Sequence, residues 1–100
     1  MKNLTGKSIN ANQRKGMHIY TGKLCFFEKG IVFKAQSVNG YLNMPLIEYE
    51  LIVSIKEKNM LGIIPNGIAL QTKNGEEFVF VVPCRSTVLA YLREKANTKK

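Results

Sequence analysis

The sequence predicts a mainly β domain: a curved antiparallel sheet or partly open barrel, closed by one C-terminal helix. Three observations predict it. Alternating apolar runs dominate the chain, turn signals separate them, and a helical spacing long enough for a full helix follows Pro83.

The clearest early hairpin is "GKLCFFEKGIVFKA", Gly22 to Ala35, two apolar runs around Glu28-Lys29-Gly30. Leu24 and Phe26 share one face by the two-residue period, as do Ile31 and Phe33, and these four are expected core residues. Cys25, Phe27 and Val32 fall on the opposite face, which is therefore not cleanly polar and must be partly covered. Upstream, "SINANQRKGMHIY" reads as a first strand, a basic loop at Arg14-Lys15-Gly16, and a second strand starting near Met17. In "LNMPLIEYELIVSIKEK", Pro45 forces Met44 toward extended backbone, although a helical turn over residues 45–49 also fits. The continuation reads as a strand with Leu51, Val53 and Ile55 on one face.

"LGIIPNG", Leu61 to Gly67, joins the strand ending near Lys58 to one beginning at Gly67. Its proline and Asn-Gly fix a turn, so Leu61, Ile63 and Ile64 read as packing at one rim rather than as a loose tip. Ile63 and Ile64 are then not both fully exposed in a monomer. In "GIALQTKNGEEFVFVV", Ile68 and Leu70 alternate with polar or small residues, and Asn74-Gly75 supplies a two-residue hairpin turn. Either Phe78 and Phe80 or Val79 and Val81 then face inward. Finally "RSTVLAYLREKA", about residues 85–96, sets Val88, Leu89, Leu92 and Ala96 on one helix face, with Tyr91 at its edge. Ser86 or Thr87 can cap its start, and Arg93 and Lys95 suit its C-terminal dipole.

The 100 residues make one domain, with residues 1–6 and 97–100 expected to fray. Apolar residues form 45% of the chain, enough for a packed core. No run reaches the roughly 18 apolar residues of a membrane span, and the N-terminus lacks the apolar region of a signal peptide. A cytoplasmic protein, peripheral to the membrane where it docks there, is expected. Cys25 and Cys84 form no Cys-x-x-Cys pair and read as small buried hydrophobes. With one histidine and no aspartate, neither a metal site nor a cofactor is expected.

Net charge is +8, carried by the two ends. Residues 1–34 hold seven cations against Glu28, residues 85–100 hold five against Glu94, and the middle is slightly acidic. Such a field concentrates anions: phosphate, acidic lipid or acidic protein.

The pattern resembles the bacterial branch of the GRAM-domain family, whose fold is like that of pleckstrin-homology domains. Four pieces carry the resemblance: "NAN" at Asn10–Asn12, the "GKLCFFEKGIVFKA" hairpin, the "NMLGIIPNGIALQTKNGEEFVFVV" run, and Arg85 with Val88, Leu89 and Leu92 in the closing helix. Phe27 stands where the family usually has Thr, Gly30 where it often has Arg, and Val88 where Trp is common. The resemblance implies a partly open antiparallel barrel of about seven strands capped by one helix, and a binding module rather than a catalyst.

Catalysis finds no support in the residues. His18 is the only histidine, Glu48/Glu50 and Glu76/Glu77 read as solvated pairs, and nothing brings Cys84 or Ser86 toward His18. No Gly-x-x-x-x-Gly-Lys phosphate loop is present. Binding is better supported: pleckstrin-homology domains that bind phosphoinositides use cations in the first inter-strand loop and the following strand. Arg14, Lys15 and Lys23, with Lys7 and His18 behind them, are the candidate anion-binding face. Cys25, Phe27 and Val32 are the candidate interface for a protein partner or a second copy. Nucleic acid is the weaker alternative, since most aromatics alternate into core positions and no RNP-like motif occurs.

Overall fold

The computed structural model describes residues 3–38, 40–60 and 64–96, without the side chains of 59, 60, 64 and 65. Eight antiparallel strands and one helix follow in order: β1 (Ser8–Lys15), β2 (His18–Phe26), β3 (Gly30–Ser37), β4 (Gly40–Asn43), β5 (Ile47–Glu48), a 3-10 turn (Tyr49–Leu51), β6 (Ile52–Met60), β7 (Ile64–Thr72), β8 (Glu77–Val81) and α1 (Arg85–Ala96). The sheet runs β4-β3-β2-β1-β8-β7-β6, with β5 paired to β3. The predicted class is therefore correct. The strand count exceeds seven because two-residue β5 is a separate element.

The inward faces follow the two-residue period. Leu24, Phe26, Ile31 and Phe33 are all buried, joined by Ile68, Leu70 and Phe80, with α1 packed on them through Val88, Leu89, Tyr91 and Leu92. Tyr91, expected at the edge of the helix face, is wholly buried and meets the Phe26 ring edge-on at 5.3 Å. Cys84 supplies the first helix acceptor, taking the Val88 N–H at 3.1 Å, so Ser86 and Thr87 sit inside the first turn and do not cap it.

Three hydroxyls run through this core. Tyr49 donates to the Phe27 carbonyl at 2.8 Å. Its single proton is thereby used, so Tyr91 donates across the 3.0 Å contact to Tyr49. Thr5 in turn donates to Tyr91 at 2.8 Å. That chain holds the N-terminal segment in place. Residues 3–6, expected to fray, are instead packed: Leu4 is only 4% exposed, and the Gly6 N–H bonds the Phe26 carbonyl at 2.8 Å.

Three local expectations fail for identifiable reasons. β6 carries a register shift between Ile52 and Ser54, so Ile52 and Ile55 both point inward and Val53 is turned out. The β7–β8 connection is four residues, 73–76, closed by Thr72 N–H to Glu76 O at 2.9 Å, with Gly75 at φ +88°. Asn74 serves it through its side chain: Oδ1 accepts from the Thr72 hydroxyl and, at 3.4 Å, from the Glu76 N–H. Pro65, Asn66 and Gly67 lie within β7 and do not form a turn; a second register shift, between Lys58 and Met60, adjoins them. The expectation for Leu61, Ile63 and Ile64 falls outside the described residues and side chains. Gly30 is required by proximity: a Cβ there would overlap the Ile47 carbonyl where β5 crosses.

Candidate functional site

Antiparallel pairing brings the β1–β2, β3–β4 and β7–β8 tips to one end of the sheet. The β1–β2 turn is tight, with Lys15 opposite His18 and only Gly16-Met17 between them. Gly16 takes the positive φ, +61°, that such a two-residue turn demands. Arg14 and Lys15, expected in a loop, are thus the last residues of β1. The Arg14 guanidinium folds back, donating from Nε to the Gly16 carbonyl at 3.2 Å.

Of the five predicted anion ligands, Arg14, Lys15 and His18 gather at this tip. Lys23 does not: it sits opposite Asn10 and Lys34, five residues down β2, about 17 Å at strand spacing. Lys7 is further still, its carbonyl accepting the Phe26 N–H at the far end of β2. Sequence reasoning missed two further cations: Lys73 at the tip, and Lys58 lower on the sheet, in register with Gly67, Val81 and Asn12. Lys73 shares a cavity wall with Lys15, and Lys58 lines a groove with Arg14 and Lys15. Both belong to the stretch that counts as acidic along the chain; only the β1–β8 pairing brings them beside the N-terminal cations. Glu76 and Glu77 border the same groove, so the end is mixed in charge rather than uniformly basic.

Apolar side chains crown these tips. Met17 is 96% and Val38 100% exposed, and Ile19 is also exposed beside Arg14 in register. The predicted interface trio is differently placed. Cys25, at 8% exposure, and half-buried Val32 are cross-strand neighbours covering one another, while Phe27 lies in the β2–β3 turn at 45% exposure. Only Phe27 of the three is an exposed surface.

Behind the tips the sheet's mouth opens into a cavity of about 300 Å³. Its floor is the Phe33–Phe80 ring pair, centroids 5.9 Å apart, and its walls include Met44, Ile47, Leu51 and Phe78. Gln13, on an inward position of β1, is 95% buried against it, 5% remaining exposed. Among the described residues no cluster of three metal-ligating side chains occurs. Cys84 and Ser86 follow Val81, beyond its pairing with Asn12, and so lie away from His18 at the tip. Arg85, opening α1, ties the helix to the β6–β7 hairpin through Glu57 at 3.4 Å.

No protein-family model matches the sequence, and no characterised protein matches it at sequence level. Solved structures do resemble the fold. The C-terminal domain of an unknown protein from Leishmania infantum superposes with TM-score 0.75 at 17% identity, over 91% of this chain and 82% of that one. The Slm1 PH domain in complex with inositol-4-phosphate gives 0.63 at 12% identity, over 93% and 95%. The same domain with phosphoserine gives 0.62 at 11% identity, over 88% and 89%. The chain has a pleckstrin-homology-like fold. No match in sequence supports the narrower GRAM assignment or a bacterial source.

Proposed function

We propose that the chain is a non-catalytic binding module that docks on anionic membrane surfaces with its tip end. One observation carries this reading: exposed apolar residues and cations share that end, Met17 and Val38 beside Arg14, Lys15, His18 and Lys73. Anionic lipid attracts the cations, at about 1 kcal/mol for each near the surface. The apolar tips enter the headgroup boundary, where burying such a side chain contributes about 1.5–3 kcal/mol. Likeness in fold to a domain solved with inositol-4-phosphate and with phosphoserine is consistent with phosphate as the recognised group. The GRAM branch, carried by "LGIIPNG" and the following hairpin, is the family we assign on residues alone. Cytoplasmic, peripheral location goes with this proposal; among the described residues no helix is long and apolar enough to cross a membrane.

Co-sedimentation with vesicles tests it, comparing neutral phosphatidylcholine with mixtures containing phosphatidylserine at low and high salt. Binding should require the anionic lipid, weaken with salt, and fall about 25-fold when Arg14 and Lys15 are both changed to Ala. Absence of binding at low salt, or equal binding to neutral vesicles, sinks it. A second reading, self-association, is favoured by β4, which ends the sheet with all four residues exposed, Tyr41 and Leu42 among them. Sedimentation velocity showing concentration-dependent dimers abolished by Leu42→Lys would select it.

A further inference from the structure

None of the chain's seven glutamates lies in β1, β2, β3 or β4, and the chain has no aspartate. The strand registers line up two rows of outward side chains across these four strands. One row is Asn10, Lys23, Lys34 and Asn43, each directly opposite the next. Beside it Asn12 faces Thr21, and Gln36 faces Tyr41. Residues that alternate with them, such as Ala11, Gly22 and Ala35, are buried, so both rows point away from the core.

The make-up of these rows is not that of an ordinary solvated face. Lys23 and Lys34 are like charges placed directly opposite, an arrangement that weakens a sheet. Solvated faces intersperse both signs, and here no acid separates the pair. None of the side chains in the two rows makes a hydrogen bond or an ion pair with another described residue. Four of them are carboxamides, each with donors and an acceptor left to offer. Tyr41 is 53% exposed, whereas Phe26, Phe33, Phe80 and Tyr91 are buried in the core. A groove of about 440 Å³ follows the rows, lined by Asn10, Asn12, Thr21, Lys23, Gln36 and Tyr41.

These groups together select one class of partner. Lysines without acidic neighbours call for a polyanion. A membrane does not suit the rows, which carry no Leu, Ile, Val, Met or Phe to enter a headgroup boundary. An acidic peptide would use the lysines and leave the ring and the carboxamides idle. Single-stranded nucleic acid uses all three: phosphates at the lysines, a base stacked on Tyr41, and base edges on the carboxamides. Tyr41 is the diagonal neighbour of Lys34 on the same face, about 7–8 Å away, the scale of one nucleotide. We propose that the outward face of β1–β4 binds single-stranded nucleic acid, with Lys23 and Lys34 holding phosphate and Tyr41 stacking a base. The face shares no residue with the cations and apolar side chains of the tips.

Fluorescence anisotropy tests it without lipid, using single strands of RNA and of DNA of about 12 nucleotides and an abasic strand of equal charge. The full chain should bind the base-bearing strands, more weakly as salt rises; the preferred one shows whether a 2′-hydroxyl is read. Changing Lys23 and Lys34 together to Ala should lower the slope of log affinity against log salt by about 1.4, two phosphate contacts at about 0.7 each. Tyr41→Ala should weaken binding about tenfold and leave that slope unchanged, while Tyr41→Phe keeps the wild-type affinity. The abasic strand should bind the wild type about tenfold more weakly than its base-bearing counterpart. Should Tyr41→Ala fail to fold, this comparison reads the same stacking on the wild type. Absence of binding at low salt overturns the proposal, as does a salt slope untouched by the lysine variant. Equal affinity for the abasic strand, or full competition by polyglutamate of equal charge, also overturns it and marks a general polyanion surface. Vesicle binding enters none of these outcomes, so failure here and failure of membrane docking are separable.

Discussion

Tyr49 and Tyr91 meet hydroxyl to hydroxyl at 3.0 Å in the core, and the direction of that bond is fixed by a third group, the Phe27 carbonyl. The pair is therefore asymmetric. Tyr49→Phe leaves the Phe27 carbonyl and the Tyr91 O–H both without partners, whereas Tyr91→Phe leaves Tyr49 still donating. Urea unfolding should show Tyr49→Phe costing about 2–3 kcal/mol and Tyr91→Phe about 1 kcal/mol. The reverse order would mean that the Tyr49 hydroxyl does not donate to the Phe27 carbonyl.

The same burial makes stability sensitive to alkali. Desolvation first, then the hydrogen bond and charge of Tyr91, hold the Tyr49 hydroxyl well above its ordinary range. The unfolded chain releases this proton near the ordinary tyrosine value of 10.0, while the folded chain keeps it. Above that pH the unfolded state binds fewer protons, so stability falls as pH rises, at about 1.4 kcal/mol per unit for this one group. Below it the contribution is constant. Denaturant midpoints taken from pH 8 to 11 should show the wild type losing its advantage over Tyr49→Phe only above about pH 10.

Leu4 tests whether the N-terminal segment belongs to the core. Its 4% exposure predicts that Leu4→Ala costs about 2 kcal/mol or more. A frayed residue would show a change within about 0.5 kcal/mol, so thermal or urea unfolding separates the two.

At Gly30 the obstacle is steric. Gly30→Ala drives a methyl into the Ile47 carbonyl, and relief requires β5 to leave β3. A loss of about 1–3 kcal/mol, with amide shifts concentrated at residues 46–49, is expected. A neutral substitution would show that β5 is not held there.

How much of this was legible in the chain follows from the range of the interactions. Period-two alternation located Leu24, Phe26, Ile31 and Phe33 correctly, because facing is a property of each strand alone. The helix bounds were equally readable, set by Pro83 and the apolar spacing. Alternation failed at Val53, where one extra residue reverses the face and nothing local announces it. Pro65-Asn66-Gly67 carries turn chemistry, yet pairing with β6 and β8 holds it in a strand. In the site, Arg14 and Lys15 were found because they are adjacent in sequence, while Lys58 and Lys73 arrive through strand pairing.

The hydroxyl relay also bears on the order of assembly. Thr5 and Tyr91 are separated by 86 residues, so their bond closes only after the sheet and helix have come together. Contacts of such separation form late, once intervening loops have been closed. The relay therefore acts as a latch rather than a nucleus: it slows escape from the native state and contributes little to reaching it.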